Sequence, residues 1–215
     1  MSGFYIYLVT MKGKSILFID WNGTLNNENF FRSLDTETYQ KIQMWLFEAN
    51  KQMVIDWMKG RYTSEQVVAQ VAHHLGIPFE DLWDVFVDDC MTMSLSQGVV
   101  DTLHSLRESY ILILITGNMD CFTRFTVPAL KLNEIFDEIS SSHDAGQLKD
   151  EKGGEVFLQY AEKYNVPISE THLFDDSDNV CRIFETLGGT AHLVSTQNPL
   201  EVHLLNTLNH SVPVH

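Results

Sequence analysis

A chain of 215 residues, 44% hydrophobic and 20% charged, is long and apolar enough to bury a sizeable core, and one domain with an insertion accounts for it better than two independent domains. A formal net charge of −15 and a pI of about 4.8 exclude a protein that wraps nucleic acid or lies on an anionic membrane, because both partners are themselves anionic. The same charge repels a phosphorylated substrate unless a cation or a local positive patch intervenes.

In chain order, residues 4–9 form an apolar run shorter than a signal-peptide core and far shorter than a membrane span. It reads as an extension or a first edge strand. The expected location is cytoplasmic, and a secreted effector has the same composition. Residues 15–20 (SILFID) read as a buried strand. The stretch 28–97 carries no strand run. Its segments 37–50 (ETYQKIQMWLFEAN), 64–76 (SEQVVAQVAHHLG) and 78–91 (PFEDLWDVFVDDCM) read as helices, the second opened by a capping Ser64.

A helix over 99–109 follows Gly98, and 110–116 (YILILIT) reads as the second strand. A weaker strand lies near 135–140. Segment 155–166 places Val156, Phe157, Tyr160, Ala161 and Tyr164 on one helical stripe. Residues 171–176 (THLFDD) and 190–195 (TAHLVS) read as strands, separated by a helix over 179–189 that stops on Gly188 and Gly189. Most of these strands are apolar on both faces, as parallel strands covered by helices must be. The alternation predicts an α/β fold, a doubly wound, Rossmann-like parallel sheet. Residues 1–27 and 98–215 form the core domain, and 28–97 form an α-helical cap domain inserted after the first strand. Such an insertion lies over the carboxyl ends of the strands, where open α/β sheets bind ligands. Cys90, Cys121 and Cys181 are far apart in sequence and read as three buried thiols in a reducing compartment.

Three strands end on polar residues of one kind: Asp20, then Thr116 in LITGN, then Asp175 and Asp176 in LFDDSDN. In a parallel sheet these ends share one edge, so three carboxylates and a hydroxyl converge in one crevice. Like charges so placed need a cation, and oxygen-only ligands select a hard ion, Mg²⁺. The competing reading, in which each Asp caps the helix after it, suits any one of them better than all of them together.

FIDWNGTL resembles the first motif of the haloacid dehalogenase-like (HAD) hydrolase superfamily, Asp-x-Asp-Gly-Thr. LITGN resembles the second motif and LFDDSDN the fourth, and the likeness runs from Ser15 to about Thr196. The resemblance implies a phosphatase of the capped branch. Asp20 is its nucleophile and forms an aspartyl-phosphate. Mg²⁺ is held by Asp20, the backbone carbonyl of Asn22 and Asp176, with Asp175 or Asp178 on metal waters. Thr116 and the amides of Gly117 and Asn118 hold the phosphoryl group. The third motif is a lysine, and LKDEKGGEVF offers two; closeness to the next helix favours Lys152 over Lys149. The substrate is a phosphorylated metabolite or a phosphoprotein, phosphotyrosine included, with no nucleic acid and no membrane span.

Asn22 departs from this pattern. Family phosphatases carry a second Asp there to protonate the leaving group, and Asn cannot exchange a proton at neutral pH. A catalytically weak relative that binds a phosphorylated ligand or partner is therefore an alternative. Phosphonatases carry Asp-Trp-Ala-Gly-Thr, which Trp21 matches, and need a cap lysine, for which Lys41, Lys51 and Lys59 qualify by location. Dehalogenases need no metal, and the acidic DDSDN cluster argues against them. His73, His74, His143, His172 and His192 lack ligand spacing and read as surface or hydrogen-bonded residues. Trp45, Trp57 and Trp83 read as packing residues of the insertion.

Overall fold

The computed structural model describes residues 13–211. Five strands, β1 (Ser15–Ile19), β2 (Tyr110–Thr116), β3 (Glu138–Ser141), β4 (His172–Asp175) and β5 (Thr190–Leu193), form one parallel sheet in the order β3-β2-β1-β4-β5. The chain leaves β1 to build one half of the sheet and returns to its other side to build the second half. The topological switch point therefore lies between β1 and β4, where open α/β sheets form their ligand crevice.

The helices of the core are α5 (Gln97–Leu106), α6 (Glu155–Tyr164), α7 (Asp178–Thr186) and α8 (Leu200–Ser211). Residues alternate along β1: Leu17 and Ile19 face α5 and α8 through Leu103, Leu106, Leu200 and Leu204. Ile16 and Phe18 face α6 and α7, where Phe18 meets the Phe157 ring edge-on at 5.2 Å and the Phe184 ring at 5.7 Å. Ile16 through Ile19 are fully buried, and each such side chain contributes roughly 1.5–3 kcal/mol. A strand buried on both faces cannot slip register without placing a polar residue in the core. That fixes where β1 ends, and hence where Asp20 emerges.

Between β1 and β2 the chain builds a separate helical cluster: α1 (Thr36–Gln43), α2 (Lys51–Met58), α3 (Ser64–Leu75) and α4 (Phe79–Met91). Its own core includes Phe31, Leu46, Trp57, Val68, Val71 and Phe86, and it is continuous with Met119 and Cys121 just after β2. Residues 36–49 run as one continuous helical stretch whose second part changes pitch. Met44–Ala49 widens into a π-helical turn, and Asn50 breaks out at φ −123°, ψ 39° while its amide donates to Trp45 O. Neither α2 nor α8 was expected from the sequence. The cap of α3 is Thr63, not Ser64: Thr63 and Gln66 form a reciprocal capping box, while Ser64 is buried and bonded to Asp120. The apolar run 4–9 lies outside the described residues. Among the described residues no helix is long and apolar enough to cross a membrane.

Candidate active site

Asp20 is the first residue past β1, and its N–H continues the ladder to Phe174 O at 2.9 Å. Asp175 is the last residue of β4, and Asp176 follows it. The three carboxylates lie with one oxygen each within 4.8 Å of one another, at the switch point. Asp20 and Asp175 are buried and Asp176 is exposed. Gly23 makes this approach possible. At φ +77° its backbone passes so close to Asp176 that a Cβ would stand 2.1 Å from Oδ2, a position only glycine can occupy.

The lysine in this crevice is Lys149. Its Nζ lies 2.5 Å from Asp20 Oδ1 and 2.6 Å from Asp175 Oδ2. Lys152, favoured from the sequence, does not reach the site. It adopts a left-handed conformation (φ 51°), its side chain is 65% exposed, and it faces Glu155 at 3.6 Å in the first turn of α6. Helix proximity misled, because Gly153 and Gly154, both at positive φ, reverse the chain between Lys152 and α6. Asp178 likewise points away and pairs with Arg182 at 2.7 Å.

Burial pushes the Asp20 carboxyl up to about 7, with Asp175 and Asp176 adding to the rise against the pull of Lys149. Asp176 is raised too, first by partial burial and then by Asp175. For Lys149 burial favours the neutral amine, but Asp20 and Asp175 outweigh it and hold the ammonium above its ordinary value. Three carboxylates against one ammonium leave two negative charges uncompensated when all ionise. The cluster can hold a metal, and its oxygen-only donor set suits a hard divalent cation.

Thr116 ends β2, 2% exposed, and its hydroxyl has no hydrogen-bond partner among the described residues. A buried hydroxyl without a partner costs free energy that a bound acceptor recovers. A Cβ on Gly117 would stand 4.0 Å from the side chain of Leu148, the residue before Lys149. The Asn118 amide, expected to hold a phosphoryl group, instead donates to Ser142 Oγ at 2.9 Å. The Asn118 side chain donates to Asn22 Oδ1 at 3.0 Å and accepts from Met119 N at 2.9 Å. Asn22 is thus held toward the β2 loop. A cavity of about 20 Å³, bounded by Trp21, Asn22, Phe30 and Asn118, separates this pair from the insertion and has room for about one water.

Sequence reasoning missed two groups. Buried Asp120 accepts from Trp57 Nε1 (2.8 Å), Ser64 Oγ (2.6 Å) and Ser64 N (3.1 Å), and it pairs with Arg124 (2.7 Å). It pins α2 and α3 to the helical segment after β2. Ser142 bridges Asn118 N to Met58 O. Apart from Arg124, four residues from Asp120, their partners lie dozens of residues away, so no local pattern marks them. Of the three insertion lysines considered, Lys41 pairs with Glu37 on the surface and Lys59 pairs with Glu151 at 2.6 Å. A Schiff-base amine must be uncharged, and both are held against carboxylates. His172 and His192 hydrogen-bond each other at 3.1 Å, as satisfied histidines should. Trp57 is fully buried, as expected of a packing residue.

The buried aspartate at the switch point, bridged by lysine to a second acidic strand end, lies where open α/β sheets form their ligand crevice. Neither a family model nor a curated protein matches the sequence. Solved structures do match the fold. A HAD family enzyme of Bacteroides thetaiotaomicron, solved with magnesium and inorganic phosphate, is 21% identical, with a TM-score of 0.67 over 85% of this chain and 95% of that one. A predicted HAD-like family hydrolase of Porphyromonas gingivalis is 18% identical, with a TM-score of 0.71 over 93% and 100%. A 2-haloacid dehalogenase of Pseudomonas syringae is 14% identical, with a TM-score of 0.61 over 92% and 98%. The chain has the fold of the haloacid dehalogenase-like hydrolases.

Proposed function

We propose that the protein is a Mg²⁺-dependent phosphatase that works through an aspartyl-phosphate on Asp20. The observation that carries this reading is the convergence of Asp20, Asp175 and Asp176 around Lys149 at the switch point. The donor set fits the ion: oxygen ligands only, two uncompensated charges, and a glycine at position 23 that leaves Asp176 room beside the loop. Asp20, Asp176 and the backbone carbonyl of Asn22 would hold it, with Asp175 supporting them. Bound there, it supplies positive charge that lets an anionic nucleophile approach an anionic phosphate.

The rest of the chemistry belongs to the chain. Thr116 donates its partnerless hydroxyl to a phosphoryl oxygen. Lys149 favours the ionised form of Asp20 and adds positive charge beside the phosphate. Asp20 attacks phosphorus, an Asp–O–P bond forms, and the bond to the leaving oxygen breaks. Water then cleaves the acyl-phosphate and regenerates Asp20. Asn22, tied to Asn118, offers hydrogen bonds but no proton to the leaving group. General acid help is worth roughly 10²–10⁴-fold, so substrates with stable leaving anions, aryl phosphates such as phosphotyrosine, are favoured over alkyl phosphates. Residues 28–97 act as the cap over this crevice, and three free buried thiols suit a reducing, cytoplasmic setting.

The Asn22–Asn118 hydrogen bond also favours a second reading, a weakly catalytic protein that binds a phosphorylated ligand. Hydrolysis of para-nitrophenyl phosphate with Mg²⁺ and with EDTA separates the two. Turnover that requires Mg²⁺ and vanishes in Asp20→Asn supports the phosphatase. Phosphate binding without turnover supports the binder. Turnover of a 2-haloacid, independent of metal, would overturn both.

A further inference from the structure

The insertion touches the catalytic crevice through the end of α2, and what it touches there is the loop that carries Lys149. Lys59, at the C-terminal end of α2, places Nζ 2.6 Å from Glu151 Oε1. The other oxygen of Glu151 accepts the Leu148 N–H at 3.0 Å. Leu148 is the residue before Lys149, whose ammonium sits 2.5 Å from Asp20 and 2.6 Å from Asp175. One carboxylate therefore joins the insertion to the turn that delivers the lysine. The same end of α2 is seated closely: Ser142 Oγ donates to Met58 O at 2.7 Å, and a Cβ on Gly60 would stand 2.8 Å from His143 O.

Lys59 is mostly buried in this contact, its side chain 16% exposed, whereas Lys41 paired with Glu37 and Arg61 paired with Asp56 are 57% and 60% exposed. The hydrogen bond from Lys59, followed by the Leu148 N–H, holds the Glu151 carboxyl below its ordinary range. We propose that Lys59 is a positioning residue: acting through Glu151, it makes docking of the insertion the condition for holding Lys149 between Asp20 and Asp175. The proposal rests on the phosphatase reading for its effect on rate, but not for the coupling itself. Where the Lys59–Glu151 contact opens, Glu151 loses its cationic partner and the turn at Leu148 loosens; where it forms, Lys149 is set. Catalysis is then confined to the docked state. A misplacement of about 1 Å at a catalytic group can cost up to about 10²-fold, so a small loosening suffices.

The test uses Lys59→Met, Lys59→Arg, Glu151→Gln and the double variant Lys59→Met/Glu151→Gln, each in the full chain. The first readout does not need activity: acetylation of each lysine by an N-hydroxysuccinimide ester, followed by mass spectrometry in metal-free protein. Lys149 should label about 10-fold faster in Lys59→Met and Glu151→Gln, while Lys131, 72% exposed, labels at an unchanged rate. The second readout is para-nitrophenyl phosphate hydrolysis. We expect kcat about 10-fold lower in both single variants, KM changed less than threefold, and no further loss in the double variant, because the pair acts as one unit. Lys59→Arg should keep native labelling and most of the rate. Lys149 labelling that stays native in Lys59→Met, or single-variant losses that multiply in the double, overturns the proposal. Faster Lys149 labelling in Lys59→Met than in the native protein, with no turnover by the native protein, leaves the coupling standing and removes the phosphatase reading instead.

Discussion

Replacing Asp20, the proposed nucleophile, should make the metal-free protein more stable, not less. Asp20 is buried among two further carboxylates, and its carboxyl is pushed up to about 7 from an ordinary value of 3.8. The folded state therefore holds its proton more tightly than the unfolded chain does. Below about pH 3.8 the group is neutral in both states and costs nothing. Between 3.8 and about 7 the unfolded chain releases the proton while the fold retains it, and stability falls as pH rises; above about 7 the loss is complete. A gap of about three pH units at roughly 1.36 kcal/mol each sets an upper bound of about 4 kcal/mol. Asn has the shape of the neutral acid and carries no charge, so Asp20→Asn should recover about 2–4 kcal/mol at pH 8, or roughly 4–16 °C in Tm for a chain of this size. Thermal unfolding in EDTA at pH 4.5 and pH 8 measures it, and the advantage of the variant should shrink sharply at the lower pH. Mg²⁺ should then stabilise the native protein at pH 8 and leave Asp20→Asn nearly unmoved. A variant no more stable than native at pH 8, or more stable by the same margin at both pH values, would refute the reasoning.

Other outcomes follow from the same geometry. Lys149→Met should lower kcat at least about 10²-fold, while Lys152→Met should change it less than about twofold; equal losses would mean the lysine turn is placed wrongly. Asp176→Ala should abolish the Mg²⁺-induced rise in Tm more completely than Asn179→Ala does, read by calorimetry, because Asn179 bonds Asp150 and stands apart from the cluster. In Asn22→Asp, a plot of log kcat/KM against leaving-group pKa should flatten, with alkyl phosphates gaining most; an unchanged slope would mean another group supplies the proton. Burial pushes His192 down to about 4, with His172 and His203 adding to it, so it stays neutral in the fold while the unfolded chain protonates near pH 6.5. Stability should fall as pH drops from 6.5 toward 4, and His192→Phe, keeping the stack on Phe174, should make that fall shallower in Tm-versus-pH scans.

The strands were legible because a strand buried on both faces must be apolar throughout, and Ile16–Ile19, Ile111–Ile115 and Leu173–Phe174 leave no other assignment. With these three runs, a fourth at 190–195 and a weaker one near 135–140 separated by helical periodicity, the parallel sheet and the sharing of one edge by Asp20, Thr116 and Asp175 follow from short-range pattern. Gly23 was legible as part of a motif, though its reason, the approach of Asp176, was not. What the tertiary structure decided is of another kind. Lys149 and Lys152 have the same chemistry three residues apart, and only the left-handed turn through Lys152, Gly153 and Gly154 determines which one turns inward. Ser64 looks like a helix cap and instead meets Asp120, 56 residues later, so Thr63 takes the capping role. Asn118, Ser142 and Met58 meet from three separate segments, and so do Lys59, Glu151 and Lys149. A pattern along the chain records what each residue needs, burial or a partner. Which partner satisfies it is settled only when distant segments close on one another, because a single carboxylate or hydroxyl accepts any donor that packing brings within about 3 Å.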